Sequence, residues 1–143
     1  MKTRAVAILI IMLSAWLLQA CSAQTIPSNQ WDGSWDSHAF NEFTSVKCSI
    51  DLKSSGEAIN GTFDCSGGFI TGTISGTLSP DHSRVTGTYV DSIDPKRTDT
   101  PFEWQLNPKN PDQFSGNHET DEGRFAWCGA RPGVSLPDPC LGP

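Results

Sequence analysis

After residue 20 the sequence has no stretch that keeps the apolar spacing of a helix through three turns, which argues against a helical bundle or an α/β fold. Basic residues are scarce: 10 Lys and Arg stand against 16 Asp and Glu, a net charge of -6, with no basic stripe anywhere. Such a surface repels phosphate backbones, so nucleic acid is excluded as a partner. There is no G-x-S-x-G elbow, no phosphate-cradling loop and no H-x-x-x-H metal spacing among His38, His82 and His118. No apolar run reaches the roughly 20 residues that a spanning helix needs.

What is there begins with a targeting pattern. Lys2 and Arg4 precede an apolar run from Ala5 to Leu18, broken only by Ser14, and small residues follow. This is the layout of a secretory signal over residues 1–20. Loss of that segment takes Lys2 and Arg4 with it and leaves 123 of the 143 residues, enough for one small domain with its own core. Residues 21–30 read as a tether, 31–131 as the domain, and 132–143, "PGVSLPDPCLGP" with its prolines, as an irregular tail.

The chain after the signal has the composition of an all-β fold, with 13 Gly and 10 Pro spread through it. Gly-Thr followed by an apolar residue recurs at residues 61–63, 72–74, 76–78 and 87–89, each inside an alternating run bounded by turn residues. "VKCSIDL" places Val46, Cys48, Ile50 and Leu52 on one face and Lys47, Ser49 and Asp51 on the other. The same alternation sets Ile59, Gly61, Phe63 and Cys65 on one face, then Ile70, Ile74 and Leu78 with Gly72 and Gly76 between them. It continues with Val85, Gly87 and Tyr89, with Phe102, Trp104 and Leu106, with Phe114 and Gly116, and with Phe125 and Trp127. With "WDGSWDS" at the front, about eight short antiparallel strands joined by short turns close most economically into an up-and-down barrel. Inward glycines leave room for neighbouring rings in a sharply coiled sheet. "SWDSHAFNEF" is the one segment that could instead close a short helical turn, around Phe40 and Phe43. Many rings in a short chain predict a filled interior over an open one.

The five cysteines divide by parity. Cys48 and Cys65 face the core on consecutive strands, whereas Cys128 alternates with Trp127 and faces outward, where only a segment running over the outside reaches it. Cys140 lies in such a tail. The expected disulfides are therefore Cys48 with Cys65 and Cys128 with Cys140, which leaves Cys21 unpaired.

Two resemblances follow from these residues. Leu18-Gln19-Ala20-Cys21 resembles the lipobox of bacterial lipoproteins, which implies that Cys21 is lipidated and becomes the mature N-terminus. Two or three acyl chains hold a protein firmly, so the membrane is a partner through the anchor. In Gram-negative lipoproteins an Asp after the cysteine directs retention in the inner membrane; Ser22 stands here, which implies the outer membrane, facing the periplasm. The succession of "GSWDS", "GTY", "FEW" and "FSG" resembles avidin-type barrels of the calycin group, which implies a small-molecule-binding barrel. Asp36 or Ser37 stands where that family places an Asn on biotin's ureido group, and the late capping Trp has no counterpart, so the resemblance extends to architecture more than to biotin.

Candidate chemistry is sparse. His118, Glu119, Asp121 and Glu122 read as one hairpin loop that could offer oxygen ligands to a hard cation, but the ordered series of a calcium loop is missing and a solvated acidic turn accounts for it. Glu103 and Asp64 alternate with core residues and face solvent, so they do not form a glycosidase pair. No catalytic group, cofactor or metal is therefore expected. The function read from sequence is a lipid-anchored, non-catalytic binding or interaction module, with a small-molecule barrel and a periplasmic inhibitor or immunity-type protein as alternatives. Its contact surface is expected at the longest connection, with Asp91, Asp94 and Asp99, and at the acidic loop with Glu119, Asp121 and Glu122. The ligand is expected to be a protein or a small molecule. Replacing Cys21 with Ser should abolish incorporation of labelled palmitate into the protein; undiminished labelling would show that the acyl group is elsewhere.

Overall fold

A computed structural model describes residues 29–140. The signal, Cys21 and most of the tether lie outside the described residues, as do residues 141–143. Eight strands follow one another along the chain: β1 (Gly33–Phe40), β2 (Ser45–Ser55), β3 (Ala58–Cys65), β4 (Ile70–Leu78), β5 (Arg84–Asp91), β6 (Thr100–Asn107), β7 (Asn110–Thr120) and β8 (Gly123–Ala130). Each pairs antiparallel with the next, and β8 returns to β1 through Ala39 opposite Trp127 and Asp36 opposite Ala130, so the sheet closes into a barrel in chain order. Closure leaves no unpaired edge.

The period-2 pattern explains the faces. In β2 Cys48, Ile50 and Leu52 are buried while Lys47, Ser49 and Asp51 are exposed, and β3, β4 and β6 follow the same rule. The segment that could have formed a helical turn does not. β1 continues through Phe40, and the Asn41 side chain then accepts hydrogen bonds from the backbone N–H groups of Phe43 and Thr44 at 3.0 and 2.8 Å. That Asx turn offers the backbone an alternative to a helix.

Glycine inside the barrel makes room for rings. A Cβ built on Gly72 would collide with the Phe63 ring and with the Val90 carbonyl oxygen, and one on Gly116 with Trp104. Large side chains of one strand thus occupy the volume that a neighbouring residue gives up.

Both disulfides are formed as the faces require. Cys48 and Cys65 sit directly opposite each other across β2 and β3, inside the barrel, with Cα atoms 3.9 Å apart. Cys128 faces outward yet is 1% exposed, because the tail crosses over it and bonds to it through Cys140. Gln113 Nε2 also donates to the Ser135 carbonyl oxygen at 2.8 Å and helps hold the tail on the wall.

One end of the barrel is sealed. Trp31, just before β1, is fully buried with its ring 5.7 Å from Trp35 and 6.3 Å from Trp104, and its indole N–H donates to the His82 carbonyl oxygen at 2.8 Å. Trp35 donates in turn to the Trp31 carbonyl oxygen at 2.9 Å. Over this end the Arg131 guanidinium lies 3.9 Å from the Trp35 ring centre and donates to the Ser34 and Gln30 carbonyl oxygens. Substituting Gly72→Ala should lower stability by about 1–3 kcal/mol through overpacking, measured by urea unfolding, while Thr71→Ala on the outer face changes it little. An unperturbed Gly72→Ala would contradict the close packing of Phe63.

Candidate functional site

At the opposite end, four hairpin connections surround the mouth: residues 41–44, 66–69, 92–99 and 121–122. Here the interior is not filled. A recess of ≈ 230 Å³ runs in from the mouth, with walls that include Val46, Phe63, Ile70, Tyr89, His118 and Trp127. The expectation of a filled interior is therefore half right: the rings crowd the sealed end, where Trp31, Trp35, Trp104 and Phe114 converge, and leave the other end short of volume. Larger grooves of ≈ 780 and ≈ 630 Å³ lie along the outer wall, but they are open, polar in much of their lining, and formed largely by outward strand residues such as Lys47, Ser49 and Asp64. The recess has the concavity and apolar walls that ligand sites share.

The floor of the recess is a set of edge-to-face rings. Trp127 meets Tyr89 at 5.4 Å and 88°, and Phe63 at 5.9 Å and 87°. Such pairs hold one another at fixed angles. The Trp127 indole N–H donates to the Ser37 hydroxyl at 3.2 Å, and that hydroxyl donates to the Cys48 carbonyl oxygen at 3.2 Å, so the floor is tied to β1 and β2. Ser37, one of the two residues at the position of the calycin-like asparagine, thus serves the floor, whereas Asp36 faces solvent. Beneath, Trp104 packs against Trp127 at 5.0 Å, and its indole nitrogen is the one buried side-chain donor without a hydrogen-bond partner among the described residues.

His118 departs from expectation. It is not part of an acidic loop: β7 runs on through Thr120, and the alternation that sends Phe114 and Gly116 inward sends His118 inward as well, where it is 6% exposed. Its Nε2 lies 2.7 Å from the Phe40 carbonyl oxygen and its Nδ1 lies 2.9 Å from the Tyr89 hydroxyl. A carbonyl only accepts, so Nε2 carries the proton and Nδ1 of the neutral ring accepts from the Tyr89 O–H. Burial holds the His118 ring below its ordinary value of 6.5, opposed by its hydrogen bond to Phe40. Burial, and then the nearby Asp91 carboxylate, push the Tyr89 phenol up to about 12. Both groups are therefore neutral near pH 7.

The predicted contact residues separate into three settings. Asp91 and Glu122 border the recess; Asp91 accepts from the backbone N–H groups of Ile93 and Asp94, each at 2.9 Å, and Glu122 accepts from the Thr120 hydroxyl at 3.1 Å. Asp121 bonds Arg97 at 3.1 Å and links two of the loops, while Asp94 and Asp99 are exposed on the long connection. Glu119 lies on the outer wall, because its neighbour His118 faces in, so it does not share a surface with Glu122. The acidic loop is thus two residues, Asp121 and Glu122, and His118 is no candidate cation ligand beside them; no cluster of three metal-ligating side chains occurs among the described residues. Glu103 lies outside, bonded to Arg84 at 3.2 Å and to Arg124 at 3.6 Å, and Asp64 turns to the Gly68 backbone N–H at 2.5 Å.

Comparison with known proteins finds neither a protein family nor a curated protein that matches the chain. Among solved structures it is similar to a redesigned β-barrel with a TM-score of 0.56 at 17% identity, over 71% of this chain and 91% of that one. The redesigned barrels mFAP0 and mFAP1, each bound to DFHBI, align with TM-scores of 0.53 and 0.52 at 18% and 19% identity, over 71% of this chain and 99% and 94% of theirs. The likeness is one of fold: an all-β, eight-stranded antiparallel barrel.

The neutral His118 has a consequence for stability. Its folded pKa lies below 6.5, so the unfolded chain takes up a proton that the folded chain refuses, and stability is full above that value and falls as pH drops through it. The melting temperature should decline from about pH 7.5 to about pH 5.5, a range that brackets the histidine titration, and His118→Gln should remove that part of the slope. An unchanged slope in the variant would show that another group carries it.

Proposed function

We propose that the protein is a non-catalytic binding module of the bacterial envelope whose open barrel end takes one small, largely apolar ligand. The observation that carries this reading is the recess, since a barrel of eight strands is wide enough either to fill with its own side chains or to hold one such molecule, and here the fill stops short of the mouth. The DFHBI bound by the redesigned barrels agrees with this use of the architecture. A role without catalysis is supported by the polar groups at the site: both His118 nitrogens are engaged and the Tyr89 hydroxyl is spent on one of them. General acid-base work needs groups within reach of one substrate.

The membrane attachment rests on sequence. In this reading Cys21 carries the lipid and the anchor sits in the outer membrane; the described residues begin just before Trp31, at the sealed end.

A second reading rests on a separate observation. The three exposed large apolar side chains among the described residues, Phe43 at 87%, Phe69 at 88% and Ile93 at 69%, all lie on connections at the mouth. Such tips suit a contact with a protein, as in an inhibitor or immunity-type role.

The two readings part on one substitution. Ile70 lines the recess without carrying a hydrogen-bonded side chain, so Ile70→Trp fills the space from within. With 4-phenylbutanol as a neutral probe in titration calorimetry, this variant should bind at least about tenfold more weakly, as expected when a pocket is filled, while Phe43→Ser binds as before. Equal binding by Ile70→Trp and the parent would remove the recess as the site.

A further inference from the structure

The open end is acidic as well as hollow. Its connections, with Asp91 at the end of β5, carry six carboxylates and two cations, Lys96 and Arg97. Arg97 is already bonded to Asp121 at 3.1 Å. Asp91 and Glu122 border the recess, and neither has an ion-pair partner among the described residues. No Lys or Arg lines the recess, and its one imidazole, His118, is held neutral by burial. Asn41 and Thr120 also line the recess and are engaged locally, Asn41 by the Phe43 and Thr44 N–H groups and Thr120 by Glu122; the remaining walls are apolar or aromatic, with Val46, Phe63, Ile70 and Trp127, and Tyr89 and His118 are bonded to each other.

This order of chemistry along the axis, carboxylates at the mouth and rings within, is complementary to one kind of molecule. We infer that the open end selects an organic cation with an apolar body, an alkyl or aryl ammonium, whose body enters the recess while the charge stays at the mouth beside Asp91 and Glu122. The inference rests on the recess being a ligand site. It excludes fatty acids and other anionic amphiphiles, because their head would lie at the same level as two carboxylates and no cation of the recess would meet it. A neutral molecule keeps the contact with the walls but gains nothing at the mouth. Tyr89 and Trp127 add ring faces that favour a cation over an anion should the charge sit deeper.

Three probes share one body and differ in the head: 4-phenylbutylamine, 4-phenylbutanol and 4-phenylbutyrate. In titration calorimetry on the folded domain with its disulfides intact, the amine should bind about tenfold tighter than the butyrate, since two partly exposed ion pairs contribute a few-fold each, with the alcohol between. The gap should narrow as salt rises. Asp91→Asn and Glu122→Gln keep the acceptor oxygens that hold Ile93, Asp94 and Thr120, so the double variant should fold, bind the alcohol as the parent does, and lose most of the preference for the amine. Equal affinity for all three probes, tighter binding of the butyrate, or a preference that survives the double variant would overturn the cation inference and leave the recess as a site. Absence of binding by all three would overturn both.

Discussion

A sheet of eight strands closed on itself has an interior of set width, and what the side chains put into it along the axis decides where the molecule is open. The pairing of β8 with β1 imposes that constraint, and the rest of the structure answers to it. Indoles and phenyl rings crowd one half, made possible by glycines, Gly116 and Gly129, whose missing side chains yield space to Trp104 and Phe114. In the other half the rings stop at a floor of Phe63, Tyr89 and Trp127, above which Ala39, Val46 and Ile70 are the inward apolar side chains, and Cys48 and Cys65 staple the wall. A recess is left because the supply of large inward side chains runs out before the mouth.

The floor of that recess is held by a polar chain inside an apolar barrel. Phe40 on β1 accepts from His118 on β7, which accepts from Tyr89 on β5. Three strands, no two of them neighbours, are thereby fixed relative to one another at the open end. Buried polar groups that find all their partners specify geometry, whereas a half-satisfied network would be costly. The arrangement also leaves both groups neutral, so the charge at this end comes from the carboxylates at the mouth and from the Arg97 link to Asp121.

Much of the fold was legible before the structure, and for one physical reason. A half-buried strand declares itself by strict alternation, and the runs around Ile50, Phe63, Ile74 and Trp104 alternate without interruption. The same faces paired Cys48 with Cys65 and Cys128 with Cys140. The site was legible only in fragments. Phe63, Tyr89 and Trp127 were visible as inward rings, but pattern alone does not say which rings meet and which leave a gap between them. His118 was misplaced because charged neighbours made it look like part of a loop, although extending the Phe114 and Gly116 alternation by two residues puts it inside. Glu119 was misplaced by the same reading, from the opposite side of the strand. The turn after Phe40 was obscured because Asn41 holds it with a side chain, a local choice that apolar spacing does not record.

A ligand that enters the recess would meet Trp127 and leave Trp31, at the shut end, untouched. Nitrogen-proton correlation spectra resolve indole N–H signals one by one, and the two ends carry different indoles: Trp127 bonded to Ser37 and Trp31 bonded to His82. Saturating the protein with 4-phenylbutanol should shift the Trp127 indole signal and leave that of Trp31 in place. Movement of the Trp31 signal with Trp127 unmoved would put the ligand at the wrong end and contradict the account.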